Sequence, residues 1–155
     1  MSPQEPGKLP PFNFQAEAAL IGALLTDVTI DIDALHLAGE YFADPVHGLI
    51  FRAIACWLEV GQIADVATLT ADLAPSGVLD EVGGPAYLLE LAAAPAKDAV
   101  AVAAVIRDTW ARRRLIDIGE EIATTAFGEC PAMDTAQQLR LARQKICKLA
   151  AEVLL

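Results

Sequence analysis

Lys97 to Phe127 reads KDAVAVAAVIRDTWARRRLIDIGEEIATTAF, a stretch with no proline and a single glycine, Gly119. Helix formers dominate it and nothing inside it breaks a helix. The reading is one helix of about 31 residues, roughly 46 Å long at 1.5 Å per residue. Gly128 to Pro131 follow as a turn, and Asp134 is placed to cap a returning helix that reaches about Val153. Two antiparallel helices alone cannot bury both of their faces. The apolar positions Val102, Val105, Ile106, Trp110, Ile116, Ile122, Leu139, Ile146 and Leu149 therefore need a further surface. Part of that stripe is expected to cover the rest of the chain, and the remainder predicts self-association.

Upstream the helices are shorter. Residues 1–12 carry Pro3, Pro6, Gly7, Pro10 and Pro11 and read as an extended arm. Asn13 can cap a helix to about Leu25, with Ala16, Leu20, Ile21 and Leu24 at helical spacing. A short helix is expected from Ile32 to Ala38. Asp44-Pro45 is a strong start signal, because the carboxylate accepts free N–H groups and proline suits the first helical position. That helix should run to Val60, with Val46, Ile50, Ile54 (or Phe51), Trp57 and Leu58 facing inward. Asp65 caps Val66 to Ala74, and Gly83-Gly84-Pro85 opens a helix from Ala86 to about Ala93. Period-two alternation of β-branched residues is absent. The expectation is an all-α protein: an arm (1–12), a multi-helix globule (13–96) and a long helical hairpin (97–155).

The 155 residues are 55% hydrophobic and carry 21 acids against 11 bases, a net charge of −10. This suits one folded domain and excludes disorder of the whole chain. Residues 1–96 hold thirteen acids and only Lys8 and Arg52, a balance of −11, while residues 97–155 hold nine bases and eight acids, a balance of +1. Coating of duplex DNA by bulk positive charge is not expected. Cys56, Cys130 and Cys147 lack C-x-x-C spacing, and Cys56 and Cys147 are expected as reduced, buried thiols. The opening Met1-Ser-Pro-Gln-Glu-Pro has neither the basic start nor the apolar core of a signal peptide, and no apolar run approaches membrane-spanning length. A cytoplasmic protein is expected.

Several chemistries find no support in the residues. No G-x-x-x-x-G-K-[ST] loop, G-x-S-x-G or H-E-x-x-H occurs. The two histidines, His36 and His47, have no ligand partners at metal-binding spacing, and His47 is expected to help satisfy the start of its helix. The pairs Asp31/Asp33 and Glu120/Glu121 read as solvated faces. Gly83-Gly84 reads as a sharp turn rather than a phosphate cradle. Arg112-Arg113-Arg114 is the densest basic run, but successive residues point about 100° apart. One arginine is expected to pair inward with an acid while the others project outward. No catalytic residue, metal or cofactor is assigned to the chain.

Several segments, taken in order, carry a resemblance. Pro10-Pro11-Phe-Asn-Phe-Gln-Ala-Glu17-Ala-Ala-Leu-Ile-Gly22 is similar to a P-P-x-x-x-E-A-E-x-x-x-L-G start. Tyr41-Phe42 followed by His47-Gly-Leu-Ile50-Phe51, then Asp65-Val-Ala-Thr-Leu, then Gly77-Val-Leu79-Asp-Glu-Val-Gly83-Gly84-Pro-Ala-Tyr87-Leu88, and finally Arg114-Leu115-Ile116 continue it. In that order and spacing the chain resembles the N-terminal domain of the bacterial replicative DNA helicase DnaB over residues 10–153. It departs from the pattern in the reversed order of Tyr41-Phe42, in Ile63-Ala64 before Asp65, and in Gln15 where an acid is frequent.

The resemblance implies a non-catalytic helicase module in DNA replication and the primosome. Its hairpins would pair into dimers, three dimers would form the collar of a hexamer, and the collar would dock DnaG-type primase. A helicase loader is a further candidate partner. By resemblance Tyr87, Arg113, Ile116 and Ile122 are candidates for the primase interface; the apolar stripe offers Val102, Ile106, Trp110, Leu139 and Ile146 for the dimer interface. ATP and Mg²⁺ would belong to a motor domain that these residues do not contain. The alternative is a free-standing DnaB-like paralogue or phage-type adaptor that regulates or loads the helicase.

Overall fold

The computed structural model describes residues 9–128 and 133–154. Among these residues six α-helices carry the fold: α1 (Phe14–Thr26), α2 (Pro45–Glu59), α3 (Val66–Leu73), α4 (Pro85–Ala93), α5 (Ala99–Ala126) and α6 (Thr135–Val153). Among the described residues there is no strand. The start signals act as read. Asn13 accepts from Ala16 N, Asp44 from Val46 N with Pro45 in the first turn, and Asp65 and Asp134 each close a reciprocal capping box with Thr68 and Gln137. The cap of α5 is Asp98, whose carboxylate accepts from Ala101 N at 2.9 Å, so the long helix begins at Ala99 and not at Lys97.

The helix expected over Ile32 to Ala38 is not formed. Two single 3₁₀ turns stand there, Asp33–Leu35 and Gly39–Tyr41. His36 stops the first with φ of 50°, a left-handed conformation that a helix cannot continue through.

The described residues divide into two compact units, one spanning Phe12–Arg107 and the other running from Asp108 onward together with residues 9–11. The division lies within α5, further along than the composition break at residue 96, because Ala103 and Ile106 belong to the core of the first unit. That core takes Leu20, Ile21, Leu24 and Leu25 from α1, Ile50, Phe51 and Ile54 from α2, Leu69 and Leu73 from α3, and Leu88 and Leu91 from α4. Both Phe51 and Ile54 face inward, whereas Val46, Trp57 and Leu58 are half-buried at its edge. Each fully enclosed Leu or Ile contributes about 1.5–3 kcal/mol.

Helix α1 approaches α4 closely. A Cβ on Gly22 would lie 2.1 Å from the carbonyl oxygen of Leu91, so only glycine fits. Ala96 N donates to Ala19 O at 2.8 Å and fastens the chain after α4 back onto α1. Gly84, at φ 71° and ψ −154°, takes a backbone conformation closed to other residues. It lets the chain turn directly into α4, with its N–H on Leu79 O.

In the second unit Trp110, Ala111, Ile118 and Leu149 are buried. Leu149 is the one fully buried residue of α6. Cys56 and Cys147, expected to be buried, are free and exposed; their helices turn other residues inward. Cys130 and most of the turn expected over Gly128 to Pro131 lie outside the described residues.

Candidate functional site

Two features of the structure bear on function, one in each unit. In the first unit, Glu17 and His47 are 1% and 2% exposed, inside an otherwise apolar core. Glu17 sits one turn before Leu20 and Ile21 on α1, and His47 one turn before Ile50 and Phe51 on α2. Each is a polar residue on an apolar stripe, and the two meet. The Glu17 carboxylate accepts Ala43 N on Oε1 at 2.6 Å and Asp44 N on Oε2 at 3.2 Å. His47 Nδ1 lies 3.0 Å from Oε2, and His47 Nε2 lies 2.6 Å from the hydroxyl of Tyr87 on α4. With both carboxylate oxygens serving as acceptors, Nδ1 carries the proton facing Glu17. Nε2 and the Tyr87 hydroxyl then share the ring's second hydrogen bond. Burial, followed by the negative charges of Asp44, Glu90 and Glu17, pushes the Tyr87 phenol above its ordinary value of 10.0, so it keeps its proton. The two rings are nearly parallel, 4° apart, with centroids separated by 6.1 Å.

His47 was expected to satisfy the start of its own helix. It does not. Asp44 caps that helix, and the imidazole instead links α1 to α4. The signal for this chain of bonds was in the sequence as two polar residues at core positions. What periodicity could not supply was that the two stripes face one another.

The second feature is the hairpin. Leu115 and Ile122 on α5, and Leu139 and Ile146 on α6, are exposed, with Leu139 at 67% and Ile146 at 47%. Both pairs are seven residues apart, 700° of helical rotation, so each pair shares a face at heptad spacing. A groove of about 240 Å³ opens between the two helices, with Ile122, Ala126, Met133, Leu139 and Leu141 among its walls and Glu121 and Lys145 at its edge. Glu121 and Lys145 form an ion pair. Ile116 is also exposed but does not line this groove, as its six-residue offset from Ile122 requires.

The other anticipated residues fall as follows. Ile106 is fully enclosed in the core of the first unit, and Val102 packs against that core. Ile106 is thus spent inside its own chain and is withdrawn from the dimer surface, because the stripe it belongs to is covered by the globule. Trp110 is buried. The three consecutive arginines diverge: Arg112 pairs with Asp108 at 2.8 Å, Arg114 with Asp117 at 3.0 Å, and Arg113 Nη1 donates to Pro11 O at 3.0 Å. Arg112 and Arg114, both exposed, each pair with an acid one turn away on the same helix. Among the described residues no group of three or more His, Cys, Asp or Glu is placed to hold a metal ion, and no helix is long and apolar enough to cross a membrane.

Residues 9–108 match the family described as "DnaB-like helicase N terminal domain". The chain belongs to this family. DnaB-like relatives resemble it over most of its length. The replicative DNA helicase DnaB of Rickettsia prowazekii is 31% identical over 145 residues, covering 92% of this chain and 30% of the relative. That of Geobacillus stearothermophilus is 34% identical over 128 residues, covering 77% and 27%. The chain thus spans about 30% of the length of the first of these helicases. The crystal structure of the N-terminal domain of DnaB helicase from Mycobacterium tuberculosis superposes with a TM-score of 0.81 at 27% identity, covering 90% of this chain and 99% of that one. The all-α DnaB-like fold is therefore shared with a solved domain across almost the whole chain.

Proposed function

We propose that this DnaB-like domain serves DNA replication as a non-catalytic assembly and docking module. It self-associates through its hairpin within a helicase collar and presents a surface to DnaG-type primase. The observation that carries the reading is the pair of heptad-spaced apolar faces, Leu115/Ile122 and Leu139/Ile146, left exposed on two adjoining helices. Large apolar side chains concentrated on one element mark an interaction surface. The −11 balance of residues 1–96 against +1 for residues 97–155 supports the same division of labour. A near-neutral hairpin can approach a copy of itself, while an acidic globule repels one. Tyr87, Arg113, Ile116 and Ile122 remain the proposed primase-facing residues, and Leu139 and Ile146 the proposed dimer contacts.

Calorimetry of the chain against the C-terminal helicase-binding domain of the cognate primase tests the docking role. Heat of binding at micromolar concentration is expected, and Ile116→Ala or Ile122→Ala should weaken it by about tenfold without loss of helix content. Absence of heat at those concentrations would rule primase out as the partner.

A further inference from the structure

Tyr87 is half-buried, its hydroxyl is turned onto a buried histidine, and that histidine is in turn fixed by a buried carboxylate. Three elements meet through this chain of bonds: α1 through Glu17, the start of α2 through Asp44 and His47, and α4 through Tyr87. A half-exposed tyrosine is ordinarily free to change rotamer. Here the ring is held from its far end, at a fixed angle to the imidazole. The hold is redundant at its base, because Glu17 is anchored by two backbone N–H groups that do not depend on His47. Its arrangement survives either charge state of the ring. Neutral His47 accepts the phenolic proton at Nε2, and an imidazolium would donate to the phenol oxygen instead.

We infer that Glu17 and His47 are positioning residues that hold the Tyr87 ring in the orientation a protein partner reads. The inference rests on the proposal that Tyr87 faces primase, and adds that affinity at this position depends on side chains no partner can touch. Pre-setting one rotamer removes an ordering cost that binding would otherwise bear. The charged groups around the phenol are Asp44, Glu90 and Glu17, all acidic, so the partner group that meets Tyr87 is expected to be apolar or cationic.

Two substitutions separate positioning from simple support. In His47→Asn the amide nitrogen occupies the place of Nδ1, which keeps the bond to Glu17 and loses Tyr87. In His47→Gln the amide occupies the place of Nε2, which keeps Tyr87 and loses Glu17. Calorimetry with the primase helicase-binding domain should show His47→Asn weakening affinity by several-fold up to about tenfold. His47→Gln should lie close to the parent chain. In a Tyr87→Ala background, His47→Asn should add less than about twofold. Equal losses from Asn and Gln, or an undiminished loss in the Tyr87→Ala background, would overturn the inference. A second readout needs no partner: a protected Tyr87 hydroxyl proton in NMR spectra of the parent chain and of His47→Gln, absent from His47→Asn. Protection without primase binding would overturn the docking reading and leave the bonded chain standing. No protection in the parent would overturn the bonded chain itself.

Discussion

Glu17 accepts three N–H bonds where its neighbours on α1 are leucine and isoleucine. A buried donor without a partner costs more than a made bond returns. Glu17→Leu should therefore destabilise the chain by about 2–3 kcal/mol, even though leucine suits the stripe by size, because Ala43 N, Asp44 N and His47 lose their acceptor. Urea unfolding followed by circular dichroism measures this. A second residue-scale effect concerns pH. Asp65 lies below its ordinary value of 3.8, first through the backbone N–H of Thr68 and then through the Thr68 hydroxyl. A carboxyl depressed by folding stabilises the fold above its unfolded value, and that contribution is lost as pH falls through the lower folded value. Acid unfolding of Asp65→Asn should accordingly depend less on pH below 3.8 than that of the parent chain, as followed by midpoint temperatures. At this scale the caps at Asn13, Asp44, Asp65 and Asp134 were legible because a cap is a local bond between residues two or three apart. The bonds among Glu17, His47 and Tyr87 span 30 and 40 residues and depend on how helices pack, which no single stripe reveals.

The long helix α5 is where sequence and structure agree most closely in kind and differ most in consequence. Its continuity follows from the absence of breakers, yet its two ends serve different units. Ile106 reads as part of the hairpin stripe and is enclosed by the globule. Periodicity identifies an apolar face but not what covers it. Gly119 is the one interior position that weakens α5, and a Cβ there would meet nothing within 4 Å. Gly119→Ala should raise stability by about 0.5–1 kcal/mol, measured by the urea midpoint. Gly22→Ala should do the reverse. Its methyl would enter the carbonyl of Leu91, a backbone atom that cannot give way, so α1 and α4 must separate at a cost of roughly 1–3 kcal/mol. The pair of substitutions tests whether each glycine is kept for space or merely tolerated. The helix expected over Ile32 to Ala38, which is not formed, belongs to this scale too. Seven residues would make about two turns, but a left-handed His36 stops the chain after a single 3₁₀ turn, and nothing in the local pattern forces that conformation.

The whole molecule combines a well-filled acidic globule with a hairpin that leaves most of α6 exposed. Leu149 is the one residue of that 19-residue helix counted as buried. A helix of this length holds little stability alone, and most helices in proteins are stabilised by packing of an apolar face. The exposed face carrying Leu139 and Ile146 is what a second hairpin would cover. Self-association through the hairpin is therefore expected. Sedimentation equilibrium on the chain and on a Leu139→Glu/Ile146→Glu variant, up to on the order of 100 μM, tests it most directly. The parent should approach twice the mass of one chain, and the variant should keep a single-chain mass with unchanged helix content. A strict monomer for the parent over that range, or a variant that associates as the parent does, would contradict it.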